Sequence, residues 1–171
     1  MISKRWYWLG LIACASLMAV AYFYFQKTLG LAPCPLCMFQ RVCLVGVGAF
    51  CLLGIIFNPQ KFVSKIIALG VTLFSGLGFA IAGRQVWLQH LPTNQVPECG
   101  PDLEFMMEVF PWQDVIRTVL QGSGECADVQ WTFLSISMPE WMVLIFAFMV
   151  IVSIKLLFTK PKSYFSSNYR A

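Results

Sequence analysis

Charged residues are scarce in this chain of 171 residues, and acidic residues are absent from most of it. Only 12% of the residues are charged, against about 25% in a typical soluble domain, and 58% are hydrophobic. This balance excludes an ordinary soluble domain. All eight acidic residues fall between Glu98 and Glu140, so the apolar runs contain no carboxylate. That absence argues against a proton or cation pathway built on carboxylates within a membrane.

Four long apolar runs make up most of the chain, at approximately residues 8–25, 40–57, 66–88 and 141–158. Each is close to the roughly 17–25 residues that cross a bilayer, and together they leave little sequence for a soluble core. We therefore expect a single all-α membrane domain over residues 1–171, a four-transmembrane-helix bundle. The segments at about 26–39 and 89–140 are expected to be loops, the second long enough to hold structure of its own.

The first apolar run also resembles a signal peptide, because Lys4 and Arg5 precede it and residues 11–14 resemble a lipoprotein processing box. The apolar core of a signal peptide is about 7–15 residues long, whereas this run continues through Phe25. Aromatic residues at both of its ends are typical of a spanning helix. We expect an uncleaved first span.

The basic residues indicate the orientation of the bundle, because cytoplasmic loops carry the excess of lysine and arginine. They flank one set of helix ends: Lys4, Arg5, Lys61, Lys65, Lys155, Lys160, Lys162 and Arg170. Both termini and the loop at 58–65 are therefore expected in the cytoplasm. The two remaining loops then lie on the outer side, where disulfides form and persist.

Two cysteines at the start of the second run, Cys34 and Cys37, form a Cys-x-x-Cys motif, which is typical of metal binding or of dithiol exchange. Zinc normally requires a second ligand pair at short spacing, but Cys99 and Cys126 are far apart and the sole histidine, His90, is not suitably placed with either. We expect no metal. A disulfide across so short a loop contributes little entropic stabilisation, which favours a redox role over a purely structural one.

Arg41 follows Cys37 by one helical turn and is expected on the same helix face. A thiol beside an arginine or near a helix N-terminus ionises more readily, and the thiolate is the reactive form. Arg41 could stabilise a Cys37 thiolate and the charge on a reduced acceptor, or it could extend to the membrane surface. Arg84, near the outer end of the third run, has the same two interpretations.

The other five cysteines fall into two groups. Cys99 and Cys126 lie in the long outer loop, where a structural disulfide and an exchange relay with the Cys-x-x-Cys pair are both open. Buried cysteines usually behave as small hydrophobic residues. We expect that role for the three within the apolar runs, which are Cys14, Cys43 and Cys51.

One short helix is predicted in the long loop. Its apolar residues recur with helical periodicity: Trp112, Val115, Ile116, Val119 and Leu120. Pro111 suits the first turn and Gly122 the end of the helix. The helix is too short to span, so we expect it to lie in the membrane interface, to pack on the bundle, or to do both.

Four segments in combination resemble the disulfide bond formation protein B (DsbB) family, and the similarity covers essentially the whole chain. They are residues 33–41 (PCPLCMFQR), 87–89 (WLQ), 123–134 (SGECADVQWTFL) and 138–141 (MPEW). The family belongs to the system that keeps the bacterial periplasm oxidising. The resemblance implies a multi-pass protein of the bacterial inner membrane whose redox cysteines face the periplasm.

The resemblance also implies a reaction. A reduced, DsbA-like partner with a thioredoxin fold attacks a Cys99/Cys126 disulfide, and Cys99 forms the mixed disulfide. Electrons then pass to the Cys34/Cys37 pair, and the Cys37 thiolate engages a quinone of the lipid bilayer beside Arg41. The implied cofactor is ubiquinone, with menaquinone under anaerobic growth, and no nucleic-acid partner is expected. The chain is thus expected to be a protein-disulfide-forming thiol:quinone oxidoreductase.

Two positions depart from the family pattern. Gln40 stands where an acidic residue can precede the arginine, and the Arg84-Gln85 pair offers no histidine as a proton donor. Three alternatives stay open: a quinone-linked oxidase of a different dedicated partner, a quinone reductase of the vitamin K epoxide type, and a non-catalytic membrane scaffold with structural disulfides. The loop cysteines that flank the amphipathic helix favour the DsbA-linked oxidase.

Overall fold

The computed structural model describes residues 2–57, 61–92, 103–122 and 124–158. Within these ranges four helical segments are long and apolar enough to cross a membrane: Arg5–Thr28, Pro35–Ile56, Phe62–Gln89 and Met138–Phe158. The predicted all-α membrane architecture with four spans is confirmed. The second span begins earlier than the apolar run, because a proline suits the first position of a helix, where its missing N–H needs no partner.

The first span changes its helical geometry before it ends. Helix α1 covers Ile2–Ala19, and the chain continues as a π-helix over Val20–Thr28, beyond the predicted end at Phe25. The widened turns continue to the end of the segment, where the Leu29 N–H donates to the Tyr24 carbonyl at 3.0 Å. π-helical turns are rare and are found frequently at functional sites.

The long helices pack in a simple order. Helix α3 (Lys61–Gln89) packs against both α2 (Pro35–Ile56) and α7 (Met138–Phe158), while α2 also packs against α1. Their buried side chains form one cluster: Tyr7, Cys14, Cys43, Leu44, Val47, Cys51, Ile67, Val71, Ala82 and Phe146. The three cysteines of the spans therefore lie in the helix core, as predicted.

Two glycines allow close contact between aromatic rings and neighbouring helices. A Cβ atom at Gly46 would overlap the ring of Phe74, and one at Gly78 would overlap the ring of Phe146. Phe146 is fully buried between α7 and α3. Small residues at such points let membrane helices approach each other, where van der Waals packing drives association.

The segment between α3 and α7 contains three short helices and a hairpin. The helices are α4 (Leu103–Val109), α5 (Trp112–Gln121) and α6 (Gly124–Ala127). Strands β1 (Thr132–Phe133) and β2 (Ile136–Ser137) pair antiparallel immediately before α7. Helix α5 confirms the predicted amphipathic helix, whereas α4, α6 and the hairpin were not predicted.

Helix α5 has two different apolar faces. Val115 and Val119 are only 3% and 2% exposed, because they pack beside Leu88 of α3. Trp112 and Ile116 on the other face are 70% and 44% exposed. Packing on the bundle is therefore confirmed, and contact of the outer face with the membrane interface stays a prediction.

Candidate dithiol site

The Cys-x-x-Cys motif begins helix α2. Cys34 is the N-cap residue in an extended conformation, and its Sγ accepts the backbone N–H of Cys37 at 3.4 Å. Pro35 occupies the first turn, where its fixed φ suits a helix. This local geometry turns both side chains to one side, so the Cys34 Sγ donates to the Cys37 Sγ at 2.8 Å. The Cys37 sulfur thus receives a hydrogen bond from Cys34, which favours its thiolate form.

A carboxamide from α3 contacts both sulfur atoms. Gln85 Nε2 donates to the Sγ atoms of Cys34 and Cys37, each at 3.3 Å, and Gln85 Oε1 lies 3.6 Å from Cys37 Sγ. Gln40 Nε2 donates to Gln85 Oε1 at 2.7 Å. Sequence reasoning noted both glutamines only as departures from a family pattern. A polar residue near the end of an apolar run was the available signal.

Cys126 lies against Cys34. It is fully buried in α6, within a cluster that includes Cys34, Leu36, Leu88 and Val119. Hydrogen bonds with Cys126 and Cys37, together with burial, raise the pKa of the Cys34 thiol. The structure therefore brings together three of the four predicted redox cysteines. The fourth, Cys99, lies outside the described residues.

Arg41 is held by the π-helical end of the first span. Its Nη1 donates to Gln26 Oε1 at 3.0 Å, and its Nη2 donates to the Ala21 carbonyl at 3.4 Å. Both acceptors belong to the π-helical segment Val20–Thr28. Arg41 and Cys37 line the same cavity.

That cavity has a volume of about 330 Å³ and lies between the dithiol and the aromatic side chains around it. Its polar edge is formed by Cys37, Gln40, Arg41 and Gln85. Its aromatic wall consists of Tyr24, Phe25, Trp131, Phe133 and Trp141. The volume suits a small ring-shaped ligand with a few polar groups, because such sites are mostly apolar with a small number of placed polar side chains.

A second, larger apolar space lies next to this cavity. It has a volume of about 690 Å³ and is lined by residues of α1 and α7. Leu17, Trp141 and Ile145 line both spaces. The two spaces therefore lie next to each other along the membrane helices.

Arg84 lies elsewhere and has a different role. Its Nε donates to the Leu120 carbonyl at 3.3 Å, and its Nη2 donates to the Gln121 carbonyl at 3.0 Å. The guanidinium also lies 4.4 Å from the centre of the Trp87 ring. A cation at a helix C-terminus is stabilising, so Arg84 holds the end of α5 on α3 rather than joining Arg41.

Fold and site together define a class of protein: a helical membrane protein with a partly buried dithiol at the mouth of a span. A family model described as disulfide bond formation protein DsbB matches residues 3–156. The chain belongs to this family.

Curated relatives of the same description are similar to this chain over most of their length. A disulfide bond formation protein B of Marinobacter nauticus is 42% identical over 154 residues, which cover 90% of this chain and 91% of the relative. One of Stutzerimonas stutzeri is 48% identical, covering 81% of this chain and 84% of the relative. One of Hahella chejuensis is also 48% identical, covering 82% and 84%. This chain is therefore a multi-pass membrane protein of a disulfide-forming family.

Proposed function

We propose that this chain is an inner-membrane thiol:quinone oxidoreductase that reoxidises a periplasmic, DsbA-like protein with a thioredoxin fold. Both termini are proposed to be cytoplasmic and the redox cysteines periplasmic. The observation that carries the proposal is the position of Cys34, whose thiol hydrogen-bonds with Cys37 on one side and with Cys126 on the other. A loop cysteine and the membrane dithiol are thus within exchange distance.

The first half of the reaction takes place in the loop. A thiolate of the reduced partner attacks Cys99 of a Cys99/Cys126 disulfide, which breaks that S–S bond and releases Cys126 as a thiolate. The second thiol of the partner then attacks the mixed disulfide, so the partner leaves oxidised and Cys99 is released as a thiol. Each step is attack of a thiolate on a disulfide sulfur.

The second half passes the electron pair into the membrane. The Cys126 thiolate attacks Cys34 of a Cys34/Cys37 disulfide, forming a Cys34/Cys126 bond and releasing Cys37 as a thiolate. Attack of the Cys99 thiol on Cys126 then restores the loop disulfide and leaves Cys34 and Cys37 reduced. The thiol hydrogen bond from Cys34 to Cys37 is suited to hold this reduced state.

The residues around Cys37 fit a quinone of the ubiquinone type, with menaquinone as the anaerobic counterpart. When bound, such a quinone supplies a two-electron, two-proton acceptor. The cavity offers aromatic walls for a ring, and Arg41 and Gln40 offer donors for its carbonyl oxygens. The apolar space between α1 and α7 fits an isoprenoid tail. Arg41 is proposed to stabilise negative charge that develops in the cavity.

The test combines purified full-length protein, a ubiquinone analogue and a reduced thioredoxin-fold partner, and follows quinone absorbance. We expect turnover in the parent protein and its loss in Cys37→Ser. The matched control is Cys14→Ala, which changes a buried cysteine of the helix core and should keep turnover. Undiminished turnover in Cys37→Ser would contradict the proposal.

A second experiment uses cells. Free thiols are trapped with quinone present and with quinone depleted, and the oxidation state of each cysteine pair is determined. Depletion should leave both pairs reduced, because their electrons then have no acceptor. If neither pair changes its oxidation state, the protein does not pass electrons to quinone.

A further inference from the structure

The carboxamide of Gln85 is suited to two states of the dithiol. It is 4% exposed, and its Nε2 lies 3.3 Å from each sulfur atom of Cys34 and Cys37. Its Oε1 can also accept from the Cys37 thiol, at 3.6 Å. A thiol can therefore donate to the amide oxygen, and a thiolate can accept from the amide nitrogen.

A second amide fixes the orientation of the first. Gln40, 3% exposed, donates to Gln85 Oε1 at 2.7 Å. This short hydrogen bond directs Oε1 toward Gln40 and leaves Nε2 facing the sulfur atoms. Burial of an amide costs free energy unless its groups are hydrogen-bonded. The two amides therefore satisfy each other, and Gln85 also satisfies the dithiol.

We propose that Gln85 is a catalytic residue that raises the reduction potential of the Cys34/Cys37 disulfide, and that Gln40 is the positioning residue that holds it. The inference rests on the proposed function and deepens it. During reduction the S–S bond breaks, and two electrons and one proton give a Cys34 thiol and a Cys37 thiolate. Hydrogen bonds to a charged acceptor are about twice as strong as neutral ones. Gln85 Nε2 therefore stabilises the reduced pair more than the disulfide.

A higher reduction potential of the Cys34/Cys37 disulfide favours transfer of the electron pair from the loop to the membrane dithiol. A more oxidising disulfide in the membrane draws electrons from the Cys126 side, because each transfer follows the difference in reduction potential between the two pairs. Gln85 contributes to this difference through its contacts with the sulfur atoms of Cys34 and Cys37.

The test measures the potential directly, without quinone and without partner. Full-length protein carrying Cys99→Ser and Cys126→Ser is equilibrated with mixtures of reduced and oxidised glutathione, so that two glutathiones supply the electron pair and become one glutathione disulfide. The protein is quenched with acid and its thiols are alkylated. Trypsin cleaves after Lys27 and Arg41 and releases residues 28–41, which contain Cys34 and Cys37 and no other cysteine.

Three variants give the comparison. In Gln85→Met, which keeps the length of the side chain but removes the donor, the equilibrium constant for reduction should fall about tenfold, or about 30 mV. In Gln40→Met it should fall about threefold, because Gln85 keeps its donor but loses its orientation. Gln89→Met is the matched control, one turn further along α3, where the amide accepts from Ser137 Oγ at 2.9 Å. It should stay within about twofold of the parent.

The outcomes separate this inference from the proposed function. An unchanged potential in Gln85→Met, or an equal fall in Gln89→Met, overturns the role of Gln85. Should Gln85→Met fail to fold, Gln40→Met decides alone, and an unchanged potential there overturns the inference. Turnover of the parent protein with quinone is measured separately, so its failure refutes the proposed function whatever the potentials are.

Discussion

Two sets of buried cysteines in this protein lie in different surroundings. Cys14, Cys43 and Cys51 are 4%, 6% and 4% exposed within the core of the long helices, and Cys34 and Cys126 are 7% and 0% exposed at one end of them. Burial alone does not distinguish the two sets. We therefore propose that the neighbours of a thiol, and not its burial, separate a structural cysteine from a reactive one.

The neighbours differ in polarity. The core cysteines pack among aliphatic and aromatic side chains such as Leu44 and Val47. The sulfur of Cys34 instead accepts a backbone N–H at a helix N-terminus and an amide N–H, and it donates to a second thiol. These contacts place the Cys34 sulfur beside a second thiol with which it can exchange, whereas apolar surroundings keep a cysteine inert.

The largest effect is expected when one cysteine of each set is replaced by alanine and the two variants are compared. Cys34→Ala removes the sulfur that links loop and membrane thiols, so partner-driven quinone reduction should fall by at least about three orders of magnitude. Cys43→Ala, on the same helix α2 but in the core, should stay within about twofold of the parent. Steady-state quinone absorbance measures both. Comparable losses of quinone reduction in the two variants would contradict the distinction between a reactive Cys34 and a structural Cys43.

A smaller effect is expected from the two arginines nearest the dithiol end of the helices, Arg41 and Arg84. Arg41→Ala removes the cation that lines the cavity with Cys37, so the KM for quinone should rise about thirtyfold. Arg84→Ala loosens the end of α5 and should instead slow reduction by the partner. Initial rates over a range of quinone and partner concentrations separate the two effects. The opposite pattern would mean that the roles of Arg41 and Arg84 are reversed.

Within the dithiol itself the two thiols should react at different rates. The pKa of the Cys34 thiol is raised by hydrogen bonds with Cys126 and Cys37, so at pH 7 its thiolate fraction is below that of an ordinary thiol. Cys37 of the reduced protein should therefore be alkylated by iodoacetamide at least about tenfold faster than Cys34. Fragmentation of the peptide of residues 28–41 identifies the modified sulfur. Preferential alkylation of Cys34 would contradict this assignment.

The smallest effect concerns the helix that covers Cys126. Val119 is buried against the bundle and Ile116 is exposed. Val119→Ala should destabilise the docking of α5 by about 1 kcal/mol and raise the rate of Cys126 alkylation about fivefold. Ile116→Ala should leave that rate unchanged. Equal rates in the two variants would show that α5 does not protect Cys126.

The long helices and α5 were predictable because their signals are local. An apolar run of sufficient length predicts a span, and the stripe from Trp112 to Leu120 predicts an amphipathic helix. The π-helical end of the first span was not predictable, because residues 20–28 carry no local signal for it. The same is true of α4 and α6, which are short: α4 packs against α5, and α6 packs against α3.

The candidate site was predictable in its reactive atoms and not in their surroundings. The spacing of Cys34 and Cys37 indicated a dithiol, and Arg41 was expected near it. The contacts with Gln85 and Cys126 join residues far apart in sequence, so they depend on how α2, α3 and α6 pack. No periodicity or spacing in one segment encodes such a contact. At Gln85 the sequence therefore indicated only the absence of a histidine.

The most direct test of the relay uses Cys126→Ala. When its Cys34/Cys37 pair is first reduced chemically and the reductant is removed, this variant should reduce one equivalent of a ubiquinone analogue in a single turnover. When the Cys34/Cys37 pair of the variant is instead left oxidised and reduced partner protein is added, we expect no quinone reduction. The reason is that the link from the loop to Cys34 is missing. Partner-driven turnover at the parent rate in Cys126→Ala would contradict the account.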